Sequence, residues 1–356
     1  MAVVINTELF KQAVNKASKC ASFNKSHPIT SLIGITKADD SLTLTTTDRA
    51  NILYIKVPAE GEDFDITVEL DLFNKLISKS TSSDITLDVV DNSLVVKANG
   101  EYKIPIISDE SGRVTFQKPE FDKSHSIKFE ADLSSILKVY RNNEMAVAKT
   151  FELPALMGYY FGDYVVTSNS KIITFTDVKF ADKPILMNAR TVMLLSNITE
   201  PKVECYYNET SKDLAFFTDT FTLIGKELAG IEDFPIDAIS NYKDIAFENA
   251  CSISKDLLVA ALDRITLFVD DFDGNGAYFK FGNNELILTN RKGNFTEKLS
   301  CESDTEFKCF AEVPTIKGIL STITDDMVTI KYGIPNAIGI AVDDTLHIIS
   351  LLEVVE

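Results

Sequence analysis

The run Asp271-Phe272-Asp273-Gly274-Asn275-Gly276 begins like a calcium-binding loop, with carboxylate and amide oxygens at alternate positions. An EF-hand loop needs a bidentate Glu at its position 12, which here is Gly282. A turn between a helix and a strand therefore explains the run better than a calcium site. A hydrolase that uses a metal ion at the acidic turns is a weaker alternative, and changing Asp271 and Asp273 would abolish its turnover.

Other residue types that carry chemistry are scattered along the chain. The acidic pairs are Asp39-Asp40, Asp325-Asp326 and Asp343-Asp344, and the histidines are His27, His125 and His347. The acidic pairs fall in predicted turns, and no nucleophile motif, P-loop or dinucleotide fingerprint is present. The 5 cysteines are odd in number and never spaced Cys-x-x-Cys, which indicates a reducing cytosol. We therefore expect neither an enzyme nor a cofactor or metal site.

Composition predicts a folded globular protein with more than one domain. The chain has 356 residues, of which 45% are hydrophobic and 25% are charged. Its 35 Lys and Arg against 53 Asp and Glu give a net charge of −18, which excludes a protein that is basic over its whole surface. The N-terminus has no basic segment of a signal peptide, and no apolar run approaches the roughly 20 residues of a membrane helix. The expected location is the cytoplasm, away from membranes.

Three sets of similar segments recur at one long period. Helix openings place Leu9, Leu133 and Leu257 at intervals of 124 residues, and strand ends place Thr45, Thr167 and Thr289 at intervals of 122. A third set, with serines at 78, 196 and 321, has intervals of 118 and 125. These spacings predict three homologous domains. The predicted ranges are 1–120, 121–243 and 244–356, with boundary segments at 108–126 and 237–243.

Each repeat contains two amphipathic helices about 60 residues apart, and strands follow each helix. The predicted helices are 8–20, 71–80, 132–142, 188–197, 255–264 and 315–322. This order predicts an α+β protein in which every domain is a doubled helix-plus-sheet unit.

Positive charge is concentrated on these helices. They carry 11 Lys and Arg against 5 Asp and Glu, whereas the whole chain has a net charge of −18. If the helices share one face, that face attracts phosphates while the rest of the surface repels them. The alternative is that lysine simply favours exposed helix faces.

Several segments, taken in their order along the chain, resemble the bacterial β sliding clamp of replicative DNA polymerase. They are Leu9-Phe10-Lys11-Gln12-Ala13-Val14, His27-Pro28-Ile29, the run from Ser41 to Asp48, Asp233-Phe234-Pro235, and Asp256-Leu257-Leu258 followed by Ala261 and Arg264. No single segment is specific, but their order is, and it covers the whole chain. The resemblance is divergent and would suit a phage-encoded or otherwise fast-evolving clamp.

The resemblance implies the DNA clamp fold, with helices inside and sheets outside a ring. Two subunits join head to tail as a homodimer that encircles double-stranded DNA without base recognition, catalysis or cofactor. The residues implied to face DNA on the helices are Lys11, Lys16, Lys75, Lys79, Lys138, Arg141, Arg190, Arg264 and Lys317. The loop residues implied to touch DNA are Asn24, Lys25 and Lys149. For any single residue, a solvated surface side chain is the alternative.

The resemblance also implies where the ring closes, between the first domain of one subunit and the third domain of the other. Tyr102 and Ile104 match one side of this contact, and Leu267 and Phe268 match the other. The alternative is that these four residues belong to the cores of their own domains.

A third implied site is an apolar cleft that receives short peptides from the replicative polymerase, the clamp loader and repair proteins. The matching residues are Leu156, Ser170, Lys171, Ile172, Ile173, Pro235, Ile239, Ile348, Ile349, Ser350, Leu351 and Leu352. The chain ends Ser350-Leu351-Leu352-Glu353-Val354-Val355-Glu356, without the methionine and arginine typical of the family's last residues. We therefore expect a narrower and less adaptable cleft.

Two functions of different class follow. The favoured one is a DNA-encircling processivity clamp that tethers a polymerase. The other is a protein-interaction scaffold that has the clamp fold but does not encircle DNA.

Overall fold

The computed structural model describes residues 2–110, 112–116, 121–150, 153–303 and 305–353. The predicted domain boundary at residue 120 and the last three residues of the C-terminal run, 354–356, lie outside the described residues.

The α-helices lie close to their predicted positions. They are α1 (Thr7–Ser18), α2 (Leu70–Ser78), α3 (Leu133–Asn143), α4 (Ala189–Leu195), α5 (Ile236–Lys243), α6 (Lys255–Ile265) and α7 (Val313–Thr322). All except α5 were predicted, and their ends agree within two residues. The segment 237–243, where a domain boundary is predicted, is helical, and only Ile239 of α5 is buried.

Along the chain, strands precede and follow the helices in a regular order. The first stretch contains β1 (Val3–Asn6), β2 (Leu32–Ala38), β3 (Ser41–Thr47), β4 (Asn51–Pro58), β5 (Phe64–Glu69), β6 (Asp84–Val90), β7 (Ser93–Lys97), β8 (Glu101–Pro105), β9 (Ser108–Asp109) and β10 (Gly112–Arg113). The middle stretch contains β11 (Ile127–Asp132), β12 (Gly158–Phe161), β13 (Val165–Ser168), β14 (Ile172–Thr176), β15 (Ile185–Asn188), β16 (Lys202–Asn208), β17 (Asp213–Phe217) and β18 (Phe221–Lys226). The last contains β19 (Asn249–Ser254), β20 (Gly276–Gly282), β21 (Glu285–Asn290), β22 (Thr296–Ser300), β23 (Phe307–Glu312), β24 (Met327–Ile334), β25 (Ala337–Val342) and β26 (Thr345–Ser350).

This order consists of one module repeated six times in the described chain. The module, here called a half-repeat, is one strand, one helix and a meander of three strands. The half-repeats begin at β1, β5, β11, β15, β19 and β23. The doubled helix-plus-sheet unit predicted from the sequence is confirmed.

Strands are exchanged between the two half-repeats of each consecutive pair. β1 joins the meander β6-β7-β8, while β5 joins β2-β3-β4, and the later pairs follow the same rule. All these strand pairs are antiparallel, as short hairpins allow. Each meander is thus completed by the opening strand of the other half-repeat in its pair.

The described chain divides into two compact units. One consists of Met1–Ile136 and Arg190–Glu227, and the other of Leu137–Ala189 and Leu228–Glu356. The first holds the sheets β1-β6-β7-β8 and β11-β16-β17-β18-β4-β3-β2-β5, together with the hairpin β9-β10. The second holds the sheets β15-β12-β13-β14-β26-β25-β24-β19 and β22-β21-β20-β23. Neither unit matches one of the three predicted domains, whose ranges stay a prediction.

The amphipathic pattern of the helices explains their packing. In α1, Phe10, Ala13, Val14 and Ala17 share one buried face, and the side chain of Asn6 caps the helix by accepting the Glu8 and Leu9 N–H groups at 3.1 Å. The ring of Phe10 meets that of Phe73 from α2 edge to face, with centroids 5.9 Å apart. In the second unit, α6 and α7 pack into one apolar cluster with their strands.

The sheet position where β14 meets β26 contains a buried polar pair. His347 of β26 lies opposite Thr174 of β14, and its Nδ1 is 2.9 Å from the Thr174 hydroxyl. The Nε2 atom of His347 has no hydrogen-bond partner among the described residues. Burial lowers the pKa of His347 to about 3, because the charged imidazolium would lose its hydration.

This buried histidine predicts a pH-dependent stability. Between pH 6.5 and about 3 the unfolded chain binds a proton at His347 that the folded chain does not bind. The unfolding free energy therefore falls as the pH is lowered through 6.5, by at most about 1.4 kcal/mol per pH unit from this group. We expect His347→Leu to remove this part of the slope between pH 5 and 7 in urea unfolding. Equal slopes for the two proteins would contradict the assignment.

Candidate functional site

The lysines and arginines implied to face DNA differ in whether a carboxylate already neutralises their charge. Six of them form ion pairs with carboxylates. The pairs are Lys11–Glu8, Lys75–Asp71, Lys138–Asp343 and Asp344, Arg190–Asp48, Arg264–Glu297 and Lys317–Asp263. Because these charges are locally compensated, the helices attract phosphates more weakly than their charge count predicts.

A second group of cations has no ion pair with any described residue. It consists of Lys16, Lys25, Lys79, Arg141 and Lys149, of which all but Lys16 are exposed. The amine of Lys16 donates to the hydroxyl of Thr199 at 3.1 Å. Lys25 follows Asn24 in a turn in which the Asn24 side chain accepts the Ser26 N–H at 2.9 Å. Lys25, Lys79, Arg141 and Lys149 are therefore the cations best placed to meet a phosphate from solvent.

Arg190 performs a structural task within the first unit. Its guanidinium donates to the carbonyl oxygens of Lys19 at 2.8 Å and Ala21 at 2.6 Å, just beyond the end of α1. Its Nε lies 3.3 Å from the carboxylate of Asp48, whose side chain is only 7% exposed. Arg190 thus holds α4 to the segment after α1, and its predicted contact with DNA is not needed to explain its presence.

Four residues predicted at the ring contact differ in exposure. Leu267 is 80% exposed, Phe268 44% and Tyr102 41%, whereas Ile104 is buried. The ring of Phe268 packs on that of Phe295, with centroids 5.2 Å apart. Three of the four residues therefore present apolar surface, and Ile104 belongs to the core of its own unit.

The second unit contains a cleft of about 1040 Å³ between the ends of β14 and β26, the end of α5, strand β23 and the β24–β25 turn. Its apolar lining residues include Ile173, Tyr242, Ile245, Phe307, Phe310, Ile334, Ile348, Leu351 and Leu352. Its polar lining residues include Ser168, Ser170, Lys171, Lys308, Asn336, Ser350 and Glu353. An apolar cleft with a few polar groups on its rim suits an extended peptide with apolar side chains.

Residues 350–353 form one wall of this cleft. The Leu351 N–H donates to the Asn336 carbonyl at 3.0 Å, and the Leu352 N–H donates to the Phe310 carbonyl at 2.9 Å. A Cβ atom on Gly276 would lie 2.8 Å from the Leu352 side chain, so Leu352 packs directly on the glycine backbone. The wall is thus held by backbone hydrogen bonds on two sides.

The chain matches known proteins in part of its sequence and in its whole fold. Residues 1–112 match the family model of the DNA polymerase III beta subunit, N-terminal domain. A comparison with curated protein sequences finds no match. The chain superposes on the DNA polymerase III beta subunit of Thermotoga maritima with a TM-score of 0.84 and 16% identity, covering 99% of this chain and 100% of the other. This chain has the fold of a β sliding clamp.

Two further sliding-clamp structures give the same result. The sliding clamp of Pseudomonas aeruginosa matches with a TM-score of 0.83 and 16% identity, and the beta chain of Streptococcus pneumoniae with 0.83 and 14%. Each comparison covers 99% of this chain and 100% of the other. The clamp fold expected from the ordered sequence segments is therefore confirmed over the full length.

Within the clamp fold, seven of the twelve predicted cleft residues line the cleft. They are Ser170, Lys171, Ile173, Ile348, Ser350, Leu351 and Leu352. Ile172 and Ile349 face the other side of the sheet, where they are buried with α6 and α7, because neighbouring strand residues point to opposite faces. Leu156 and Ile239 are buried in the apolar cluster that also contains Ile173 and Ile348. Pro235 is exposed at the start of α5, outside the lining.

Sequence reasoning missed the lining residues contributed by α5, β23 and the β24–β25 turn. Tyr242, Phe307, Phe310 and Ile334 all line the cleft. Their only sequence signal is an aromatic or aliphatic side chain near the end of an element, and Tyr242 is indeed 44% exposed.

The acidic loop that resembles a calcium site is a turn within the clamp fold. The Asp271 carboxylate accepts the Asn275 side-chain amide at 2.7 Å, and the Asn275 N–H donates to the Asp270 carbonyl at 2.8 Å. The side chain of Asp273 lies outside the described residues. Among the residues that the structure describes, no group of three or more His, Cys, Asp or Glu could hold a metal ion, and no helix is long and apolar enough to cross a membrane.

The contacts of Arg190 predict a loss of stability when it is shortened. We expect Arg190→Ala to lower the unfolding free energy by about 2 kcal/mol, because Asp48 and two carbonyl groups lose a charged donor. Arg141→Ala is the matched control, since Arg141 is exposed and has no ion pair with a described residue, and it should change stability by less than about 0.5 kcal/mol. Urea unfolding measures both, and equal effects would refute the structural role.

Proposed function

We propose that this chain is a member of the DNA polymerase III β-subunit family and acts in the cytoplasm as a non-catalytic sliding clamp. In this proposal two copies form a closed ring around duplex DNA and hold a replicative polymerase and other replication or repair proteins through the cleft. The clamp fold over the whole chain and the family match of its first 112 residues support the assignment.

The observation that carries the ring is the arrangement of sheet edges. The last strands of four half-repeats pair with one another, β4 with β18 and β14 with β26. The last strands of the other two, β8 and β22, have no partner on their outer edge among the described residues. They are the two last strands without the pairing that the other four make, so we infer that β8 of one copy pairs with β22 of another, which closes a ring with two copies.

The cation pattern supports binding without base recognition. The exposed Lys25, Lys79, Arg141 and Lys149 attract phosphates, while the ion-paired helix cations add little. Such weak, non-specific attraction suits a protein that is retained on DNA by topology and must slide.

The ring proposal predicts retention that depends on DNA topology. Light scattering should give a mass of about 79 kDa, twice the chain mass of 39.5 kDa. Protein dissociated by dilution and reassembled by concentration with nicked circular plasmid should then co-elute with the plasmid in high-salt gel filtration. Cutting the plasmid once should release it, because a ring slides off a free end. A monomer at every concentration, with no retention, would favour the scaffold function instead.

Charge reversal tests which cations line the proposed ring. Reversing Lys25, Lys79, Arg141 and Lys149 to Glu should weaken low-salt binding to a short duplex and lower its salt dependence. Reversing four lysines on strands, Lys56, Lys202, Lys226 and Lys280, should have a smaller effect. If the second set matters as much as the first, the assignment of the lining is wrong.

The cleft proposal predicts selective loss of peptide binding. Tyr242→Ala removes an exposed aromatic side chain from the cleft, so it should weaken binding of an apolar linear peptide from the cognate polymerase about tenfold or more. Met327→Ala removes a similarly exposed apolar side chain of the same unit away from the cleft and should bind normally. Fluorescence anisotropy with a labelled peptide measures both, and unchanged binding by the Tyr242 variant would count against the cleft.

A further inference from the structure

A second, smaller cavity adjoins the cleft beside strand β23. It has a volume of about 410 Å³ and is here called the side pocket. Phe307 and Lys308 line both the cleft and the side pocket, so the two cavities meet at β23. The lining of the side pocket also includes Lys280, Ile287 and Glu306. A linear peptide that leaves the cleft across Lys308 would therefore enter the side pocket.

The alternation of strand faces directs the side pocket away from the helices. Phe279 of β20 and Leu288 of β21 are buried in one apolar cluster with α6 and α7. Because neighbouring strand residues point to opposite faces, Lys280 lies on the other face of this sheet. Arg264 and Lys317, which are implied to face DNA, belong to α6 and α7. The side pocket is thus not part of the surface proposed to face DNA.

Two lysines of the side pocket occupy directly opposite positions in the sheet. Lys280 of β20 pairs with Lys308 of β23, and like charges at opposite positions destabilise a sheet. Lys280 is half-buried, and neither lysine has an ion pair with a described residue. The next lysine in the same row, Lys298, has the carboxylate of Glu285 at 2.9 Å. Lys280 and Lys308 are therefore available to an anion from outside the chain.

The position of Lys308 is fixed beside the cleft. Its ammonium lies 4.0 Å from the ring centroid of Tyr278, and that ring packs on Phe310, which lines the cleft, with centroids 4.8 Å apart. A cation–π contact uses no hydrogen-bond acceptor, so the ammonium keeps its donors for a carboxylate. Glu306 also lines the side pocket, but it forms no ion pair with a described residue.

We propose that the side pocket extends the peptide cleft and takes an acidic segment of the same peptide, whose Asp or Glu carboxylates bind Lys280 and Lys308. This inference rests on the proposed peptide-binding function and adds a charge preference to it. Apolar side chains of the peptide fill the cleft, and the adjoining acidic residues cross β23. Complementary charge then selects such a peptide over an uncharged one with the same apolar residues.

Peptide selection tests this preference without a known partner. The full chain should select, from a random library of linear peptides displayed on phage, sequences in which apolar residues adjoin Asp or Glu. The double variant Lys280→Gln, Lys308→Gln should select similar apolar residues without the acidic excess. The control Lys292→Gln, Lys298→Gln loses the same charge from two exposed lysines of the same unit that already have carboxylate partners, and it should keep the excess.

Affinities of one selected acidic peptide give a test with two signs. In fluorescence anisotropy, the double variant Lys280→Gln, Lys308→Gln should bind the labelled peptide about fivefold more weakly than the wild type. Glu306→Gln should bind it about twofold more tightly, because it removes a carboxylate that repels the peptide. Lost packing of the lysine side chains would not explain a gain at Glu306. Added salt should weaken the wild type more than the double variant.

The outcomes separate the side pocket from the cleft. An acidic excess that persists in the double variant, or that the control loses equally, overturns the proposal. Apolar peptides without an acidic excess also overturn it, and they leave the cleft intact if Tyr242→Ala abolishes their binding. Selected peptides that bind the Tyr242 variant normally, or no selected peptide at all, overturn the cleft together with its extension. A loss of short-duplex binding confined to the double variant would assign the two lysines to nucleic acid and overturn the proposal.

Discussion

Backbone hydrogen bonding at the edges of the meanders is the constraint on which this structure depends. A three-stranded meander leaves unpaired N–H and C=O groups on both outer strands, and each such group needs a partner or water. One edge is satisfied by the opening strand of the neighbouring half-repeat, as when β5 adds to β2. The other edge is satisfied at a junction, as when β4 meets β18. A half-repeat is therefore incomplete alone, which explains why the module occurs only in series.

Many of the positive charges on the helices are neutralised by nearby carboxylates. The chain has 53 Asp and Glu against 35 Lys and Arg, and several of its helix lysines lie beside a carboxylate. Lys138 lies between Asp343 and Asp344, and Lys317 lies 2.6 Å from Asp263. Exposed pairs of this kind contribute little to stability, but they cancel much of the field that would otherwise attract phosphates. In the proposed clamp, such a surface would favour weak contact with DNA over tight binding.

Much of the fold could be predicted from the sequence, because its signals are local. The apolar face formed by Phe10, Val14 and Ala17 is a pattern within one helix. It predicted both ends of that helix to within two residues. The helix α5 was missed, since it has only 8 residues and buries only Ile239. One repeat position predicted from the sequence also differs from the structure by one residue. Thr67 and Leu186 each lie three residues before a helix, and the ladders that start from them lead to Thr45 and to Val166, not to Thr167.

The candidate sites were less predictable, because they depend on contacts between distant segments. Arg190 has the residue type of a phosphate ligand, and only the fold shows that Asp48 and the end of α1 already bind it. The cleft draws Ile173 from one strand and Phe310 from another far along the chain, and no spacing rule connects them. The alternation of strand faces, by contrast, separates Ile172 from Ile173 once the strand is known.

The two junctions pair last strands in the same antiparallel way but with different side chains, and this difference has a physical consequence. At the position facing the helices, the first junction pairs Leu53 with Leu223, and the second pairs Thr174 with His347. Equivalent strands with one register could exchange partners, giving wrong assemblies of the same geometry. A leucine placed opposite His347 would leave both ring nitrogens without a hydrogen-bond partner, which is costly for a buried group. Different pairs at one position therefore favour the correct partner at each junction, as polar residues do in other repeated assemblies.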